Sequence, residues 1–135
     1  MSRRGRAAGC LLDTHTILFA LGQPERLSEP VRRAVLEGPN VLSVLSYWEV
    51  VLKAAKGKLA VGDVRVWWAE ALLALRATEL PLRAAHIEAL QALPEHHKDP
   101  FDRMLMAQAT VEGMVFLSQD EAVALYASER LRILR

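Results

Sequence analysis

Four short stretches that read as buried strands, Gly9 to Leu12, Asn40 to Ser43, Thr78 to Leu80 and Met114 to Leu117, restrict the fold more than any other feature, and a weaker fifth lies at Leu131 to Leu134. Runs this short suit buried strands and are too brief for helices. Between them the apolar period is helical. Ser28-Glu29-Pro30 opens a helix that Gly38-Pro39 ends. Ser46-Tyr47-Trp48-Glu49 opens another, with Trp48, Val51, Leu52 and Ala55 on one face and Gly57 as its stop. Asp63 caps a third, Arg83 to Ala92 forms a fourth before Pro94, and Asp99-Pro100 starts a fifth that reaches Glu112. Strands alternating with helices through short connections predict an α/β domain, its sheet mostly parallel and covered by helices on both faces.

At 135 residues, 52% of them hydrophobic, the chain is sized for a single domain, 1–135, with a core of its own. Residues 1–8 read as a flexible N-terminal tail, and their basic cluster Arg3-Arg4-Gly5-Arg6 has an RNA-contacting arm as its alternative reading. Seventeen basic against sixteen acidic residues leave a formal charge of +1, so no global field draws in nucleic acid. Cys10 is the single cysteine; an internal disulfide is excluded and a reducing, cytoplasmic setting is expected. No apolar run approaches the length that crosses a membrane.

In open parallel sheets, ligands bind at the carboxyl ends of the strands. Asp13 follows the first strand and Asp120 the fourth. A helix returning the chain to a parallel strand begins at that same edge, which adds Glu49 and Asp102 from the first turns of their helices. Each acid has a structural alternative. Asp13, Asp99 and Asp120 are good helix caps, and Ser46-x-x-Glu49 reads as a capping box with Lys53 one turn on. Together at one rim, like charges repel unless a cation balances them. Hard divalent ions such as Mg²⁺ or Mn²⁺ take carboxylate oxygens and waters. Asp102 is the stronger ligand candidate beside Asp99, whose capping role accounts for it.

These segments carry a resemblance. Leu11-Leu12-Asp13-Thr14-His15, Ser46-x-Trp48-Glu49, His96-His97-Lys98-Asp99-Pro100-Phe101-Asp102-Arg103-Met104-Leu105-Met106-Ala107-Gln108-Ala109 and Leu117-Ser118-Gln119-Asp120 resemble, in order and spacing, the motifs of PIN domains, most closely the VapC-like toxins of type II toxin–antitoxin pairs. The resemblance implies a three-layer α/β/α sandwich with four to five strands, and a metal-dependent ribonuclease. It carries over Asp13, Glu49, Asp102 and Asp120 as the acidic cluster, with Asp99 at a position of less certain role and Ser118 where the family has threonine. It further implies a cognate antitoxin partner and a homodimer.

On that reading Asp13 and Asp102 would hold a Mg²⁺ or Mn²⁺ ion while Glu49 and Asp120 complete the cage or orient a water. Ser118 and Thr14 are supporting hydroxyls. Arg103 is placed to touch an RNA phosphate or to make a helix-surface ion pair. His96 and His97 lack zinc spacing, and a solvated loop position is expected for His97, with approach to the substrate as its alternative. His15 is expected to pack beside the first helix turn, and His86 to be structural. Adjacent Trp67 and Trp68 cannot both face one core, so their helix is read either as core packing or as a dimer or antitoxin face. A haloacid-dehalogenase-like phosphohydrolase also starts with Asp after its first strand, but His15 stands where its second Asp would be. A receiver-like phospho-acceptor lacks the acid after Leu80 that it needs, and a catalytically inactive PIN-like interaction domain is disfavoured by the four acids.

Overall fold

The computed structural model describes residues 9–135, so the predicted tail and its basic cluster lie outside the described residues. In chain order the elements are β1 Cys10–Leu12, α1 Thr14–Gly22, a 3-10 turn Pro24–Arg26, α2 Glu29–Glu37, β2 Asn40–Ser43, α3 Val44–Ala55, α4 Val64–Ala74 and β3 Ala77–Leu80. Then follow α5 Ala84–Leu90, α6 Pro100–Glu112, β4 Val115–Leu117, α7 Glu121–Ala124 and β5 Ile133–Leu134. The five strands form one sheet in the order β3-β2-β1-β4-β5. Every neighbouring pair is parallel, with Leu11 level with Val41 and Phe116.

Alternation along the strands makes the three layers. Leu11, Val41 and Phe116 face one cluster with Leu45, Leu105, Met106 and Ala109. Their sequence neighbours Leu12, Leu42 and Leu117 face the other, with Ile17, Val31, Trp68 and Ala71. Successive side chains of a strand point to opposite faces, so α3 and α6 cover one side and α1, α2 and α4 the other. The α/β/α sandwich is as the sequence implied, with the sheet wholly parallel.

The strand order matters for function. The chain builds outward from β1 through β2 to β3, then returns to place β4 on the other flank of β1. Such a reversal opens a crevice at the carboxyl ends of the two strands that flank it. Here those are β1 and β4. Gly9 sits at the entry to β1 with φ of +81°, and an added Cβ would lie 2.4 Å from the Pro39 carbonyl oxygen, so only glycine fits the approach that leads into Cys10.

Two helices differ from expectation. The helix expected at Ser46 begins at Val44, capped by Ser43, whose hydroxyl accepts from the Leu45 N–H. A serine closing the strand caps the next helix with no intervening loop, so Glu49 lies in the second turn and Ser46-x-x-Glu49 is not a capping box. Trp48, Val51, Leu52 and Ala55 do share a face, but it is the outer one; Leu45, Ser46, Glu49 and Val50 are buried instead. The other change is at α5, shorter than 83–92. Residues 91–93 continue as i→i−3 turns towards Pro94.

Candidate active site

Asp13 leaves β1 in line with the sheet. Its N–H donates to the Leu117 carbonyl at 3.1 Å, extending the β1–β4 ladder by one residue. Its side chain is almost fully buried, and Oδ1 accepts from the Thr16 N–H at 2.8 Å, capping α1. Burial pushes the Asp13 carboxyl up, opposed by the hydroxyls of Ser118 and Thr16. Asp120 repeats the arrangement after β4: Oδ1 accepts from the Ala122 N–H at 2.9 Å and caps α7, leaving Oδ2 to turn outward. Asp99 caps α6 through Oδ1, accepting from Phe101 and Asp102 N–H. Capping and site-building are therefore not alternatives, because a carboxylate has two oxygens and a cap engages one.

Asp102, in the first turn of α6, is not a cap. It points to the crevice, where its Oδ2 lies 3.0 Å from His97 Nε2, while Asp120 Oδ2 lies 3.2 Å from the same nitrogen. The ligand-type atoms of His97, Asp102 and Asp120 all lie within 4.8 Å of one another. The Asp99 N–H faces Nδ1 of His97, and Nε2 on the other side of the ring faces both carboxylate oxygens, which accept from it. His97 is thus no solvated loop residue but the tie between α6 and the end of β4. The sequence held a weak clue: it sits five residues before Asp102 in the segment that leads into the acid-bearing helix turn.

The Asp102 carboxyl is pushed up to about 7, first by burial, then by the negative charges of Asp99 and Asp13, with His97 opposing and Glu49 adding. Three other acids thus act on Asp102, and an excess of negative charge gathers there. Glu49 reaches this edge from α3 but is already engaged: Oε1 accepts from the Thr14 hydroxyl at 2.7 Å and Oε2 meets Lys53 Nζ at 2.9 Å. Thr14 also touches the Ser46 hydroxyl at 2.9 Å, which explains the buried serine one helical turn before Glu49. Ser118, fully buried, accepts from the Asp120 N–H.

Arg103 makes no ion pair among the described residues, and its Nη1 is engaged within the chain. It donates to the Pro94 carbonyl at 2.7 Å and to the Tyr126 hydroxyl at 3.1 Å, bracing the loop that carries His97. The Tyr126 hydroxyl in turn accepts from the His97 N–H at 2.7 Å. His86 is structural as expected: fully buried, it meets Glu112 through Nε2 at 2.8 Å and accepts from the Arg83 N–H through Nδ1. His15 stacks on Phe19 in the first helix. Trp68 is buried and donates to Glu79, and Trp67 is half-buried; the exposed tryptophan is Trp48.

A family model described as PIN domain matches residues 10–129, nearly all of the described chain. The chain belongs to the PIN-domain family. That membership sets aside the haloacid dehalogenase and receiver readings and makes it kin to nucleases. Solved structures agree on the PIN fold. A chain of VapBC2 from Rickettsia felis, bound to a DNA fragment from their promoter, is similar with a TM-score of 0.67 at 10% identity, covering 93% of this chain and 96% of that one. A toxin–antitoxin complex from Klebsiella pneumoniae gives 0.59 at 16% identity, covering 90% and 94%. No curated protein sequence matches this PIN-domain chain significantly.

The donor set fits a divalent cation. Asp102 and Asp120 come together with His97, Asp13 lines the same crevice as Asp120, and burial together with the charges of its acidic neighbours holds Asp102 back from ionising. Among the described residues, Lys53 is paired with Glu49 and no lysine or arginine pairs with Asp13, Asp102 or Asp120. A hard cation answers that imbalance with the oxygen donors it prefers.

Proposed function

We propose that this PIN-domain protein is a metal-dependent endoribonuclease and the toxin of a toxin–antitoxin pair. One observation carries the reading: Asp102 and Asp120, from distant segments, converge with His97 at the topological switch point, where Asp13 lines the same crevice as Asp120 and its charge acts on Asp102. Asp13 and Asp102 would hold Mg²⁺ or Mn²⁺, with Asp120 beside them and Glu49 ordering the edge through Thr14. When bound, the ion would acidify a water and neutralise charge on a phosphodiester. The chain's own part is positional. Capping hydrogen bonds fix one oxygen of Asp13 and Asp120, the His97 ring holds Asp102 against Asp120 through Nε2, and the buried Thr14 hydroxyl keeps Glu49 from turning to solvent. No side-chain nucleophile is required by in-line hydrolysis.

The VapBC2 and Klebsiella structures are toxin–antitoxin assemblies, which supports an antitoxin partner here. A groove of about 730 Å³ between α1 and α4, lined by Leu18, Phe19, Leu21, Trp67 and Ala71, offers apolar surface for one. A homodimer and a cytoplasmic setting belong to the same proposal, as does the single-domain extent 1–135. The described residues include no helix long and apolar enough to cross a membrane.

The test is cleavage of single-stranded RNA by the purified chain with Mg²⁺ or Mn²⁺, with chelator, and with Asp13→Asn, alongside anomalous scattering from Mn²⁺-soaked crystals. Cleavage that needs the metal and Asp13, with an anomalous peak among Asp13, Asp102 and Asp120, is the expected result. Neither cleavage nor a peak would return the acids to capping and sink the nuclease reading.

A further inference from the structure

Trp48 is 56% exposed, an unusual position for the largest apolar side chain on a helix whose other face is core. Val51 and Leu52, at 41% and 37% exposed, continue its stripe along α3. The indole is held edge-on to Phe101, ring centroids 5.2 Å apart at 76°. Trp48 precedes Glu49 and Phe101 precedes Asp102, so the aromatic pair is spliced to the acidic edge on both sides. Beside it lies a cavity of about 280 Å³ lined by Phe101, by Lys53, Lys56 and Lys58, and by two acids, Glu49 and Asp99, so the lysines outnumber the carboxylates by one. Lys53 is paired with Glu49; Lys56 and Lys58 are exposed and make no ion pair among the described residues. In a chain of formal charge +1, three lysines within six residues are a local concentration of positive charge.

The geometry points to a binding subsite: the groove from Trp48 to Lys58 takes the single-stranded RNA flanking the scissile phosphate, with an unpaired base stacked on Trp48 and backbone phosphates on Lys56 and Lys58. The inference rests on the ribonuclease reading and adds to it where the strand runs. Charge selects the occupant, since an apolar stripe edged by unpaired lysines complements a polyanion with flat apolar bases. Continuity selects the location, because Glu49 belongs both to this cavity and to the acidic edge. Base-paired RNA has its bases covered, so the groove discriminates for single strands.

The experiment measures fluorescence anisotropy of an unstructured, fluorescein-labelled RNA oligonucleotide against the full chain carrying Asp13→Asn, in Mg²⁺, over a salt series. Adding Trp48→Ala should weaken binding about tenfold, within the range of one lost base–aromatic stack, and Trp48→Tyr should restore most of it. Lys56→Ala with Lys58→Ala should lower the slope of log affinity on log salt by about 1.4, two single-strand phosphate contacts at about 0.7 each. Leu36→Ser, at a position 81% exposed on α2, should change neither. Unchanged affinity in Trp48→Ala, or an unchanged slope in the lysine variant, would overturn the subsite. So would a fall in sedimentation mass on Trp48→Ala with RNA binding intact, which would give the face to a second copy. The lysine variant keeps the test open should Trp48→Ala unfold. Cleavage by the wild-type chain separates the two failures: wild type that cuts RNA while the groove variants bind and cut alike removes the groove alone. Wild type that neither binds nor cuts removes both readings.

Discussion

Replacing Asp102 by Asn should stabilise the metal-free protein at pH 8 and remove its response to metal. The carboxyl at Asp102 is raised from 3.8 to about 7 by burial and by neighbouring acids. At about 1.4 kcal/mol per unit, ionising it in the fold costs up to about 4 kcal/mol. The side chain is only 13% exposed, so solvent screens little of this. Asn avoids the charge but weakens the bond to His97, a loss of about 1–2 kcal/mol. The net gain is about 2 kcal/mol, or a melting temperature higher by about 6–10 °C for a domain of this size. The sign with pH follows from linkage. A folded-state value above the unfolded one means the fold holds a proton that the unfolded chain has released. The stability this confers is full below 3.8 and is lost as pH rises through about 7. The advantage of Asp102→Asn should therefore be largest at pH 8 and vanish by pH 5. Saturating Mn²⁺ should reverse the order at pH 8, since ligand at about a hundred times its Kd adds about 2.7 kcal/mol to a protein that binds it. Differential scanning calorimetry at both pH values, with and without Mn²⁺, reads all of this. A variant less stable than wild type at pH 8, or a difference independent of pH, would refute the claim that Asp102 bears an unbalanced charge.

Asp13→Asn should fold normally, because Asn caps helices as well as Asp does, yet show no thermal shift with Mn²⁺; a retained shift would move the metal site elsewhere. Thr14→Val should lower stability by about 1–3 kcal/mol in urea melts, since the buried Glu49 loses its hydroxyl donor; a neutral outcome would mean Glu49 re-pairs. His97→Ala should push the Asp102 carboxyl above about 7, because His97 now lowers it, and a carbon-detected NMR titration of the carboxyl would register a downward or absent change as failure.

How far the sequence reaches differs from one part of the molecule to another. β1, β2 and β4 were legible because each carries apolar residues ended by a polar one, whereas β3, expected to be buried, is an edge strand with Thr78 and Glu79 exposed. α6 was legible to the residue because Asp99-Pro100 and Gly113 mark both ends. The start of α3 was not, since Ser43 and Ser46 both satisfy a cap's chemistry and only the end of β2 decides between them. The tie that His97 makes between two acids was not legible for a related reason. Its partners are five and twenty-three residues away, and nothing local says that the loop before α6 folds over the crevice.

The sequence alone determined the layers, the alternation of strands with helices, and which acids stand after strands or at helix starts, because these follow from local periodicity and capping chemistry. Tertiary structure decided the strand order, and with it that β4 returns to the flank of β1 and brings Asp120 to Asp13. It also decided which face of α3 is core, leaving Trp48 in solvent and Glu49 inside, a choice the helix's apolar pattern does not make because both faces are apolar enough to bury. Long-range contacts settle such choices: the Thr14 hydroxyl that receives Glu49, and the Tyr126 hydroxyl that holds the His97 loop, lie thirty-five and twenty-nine residues from the groups they fix.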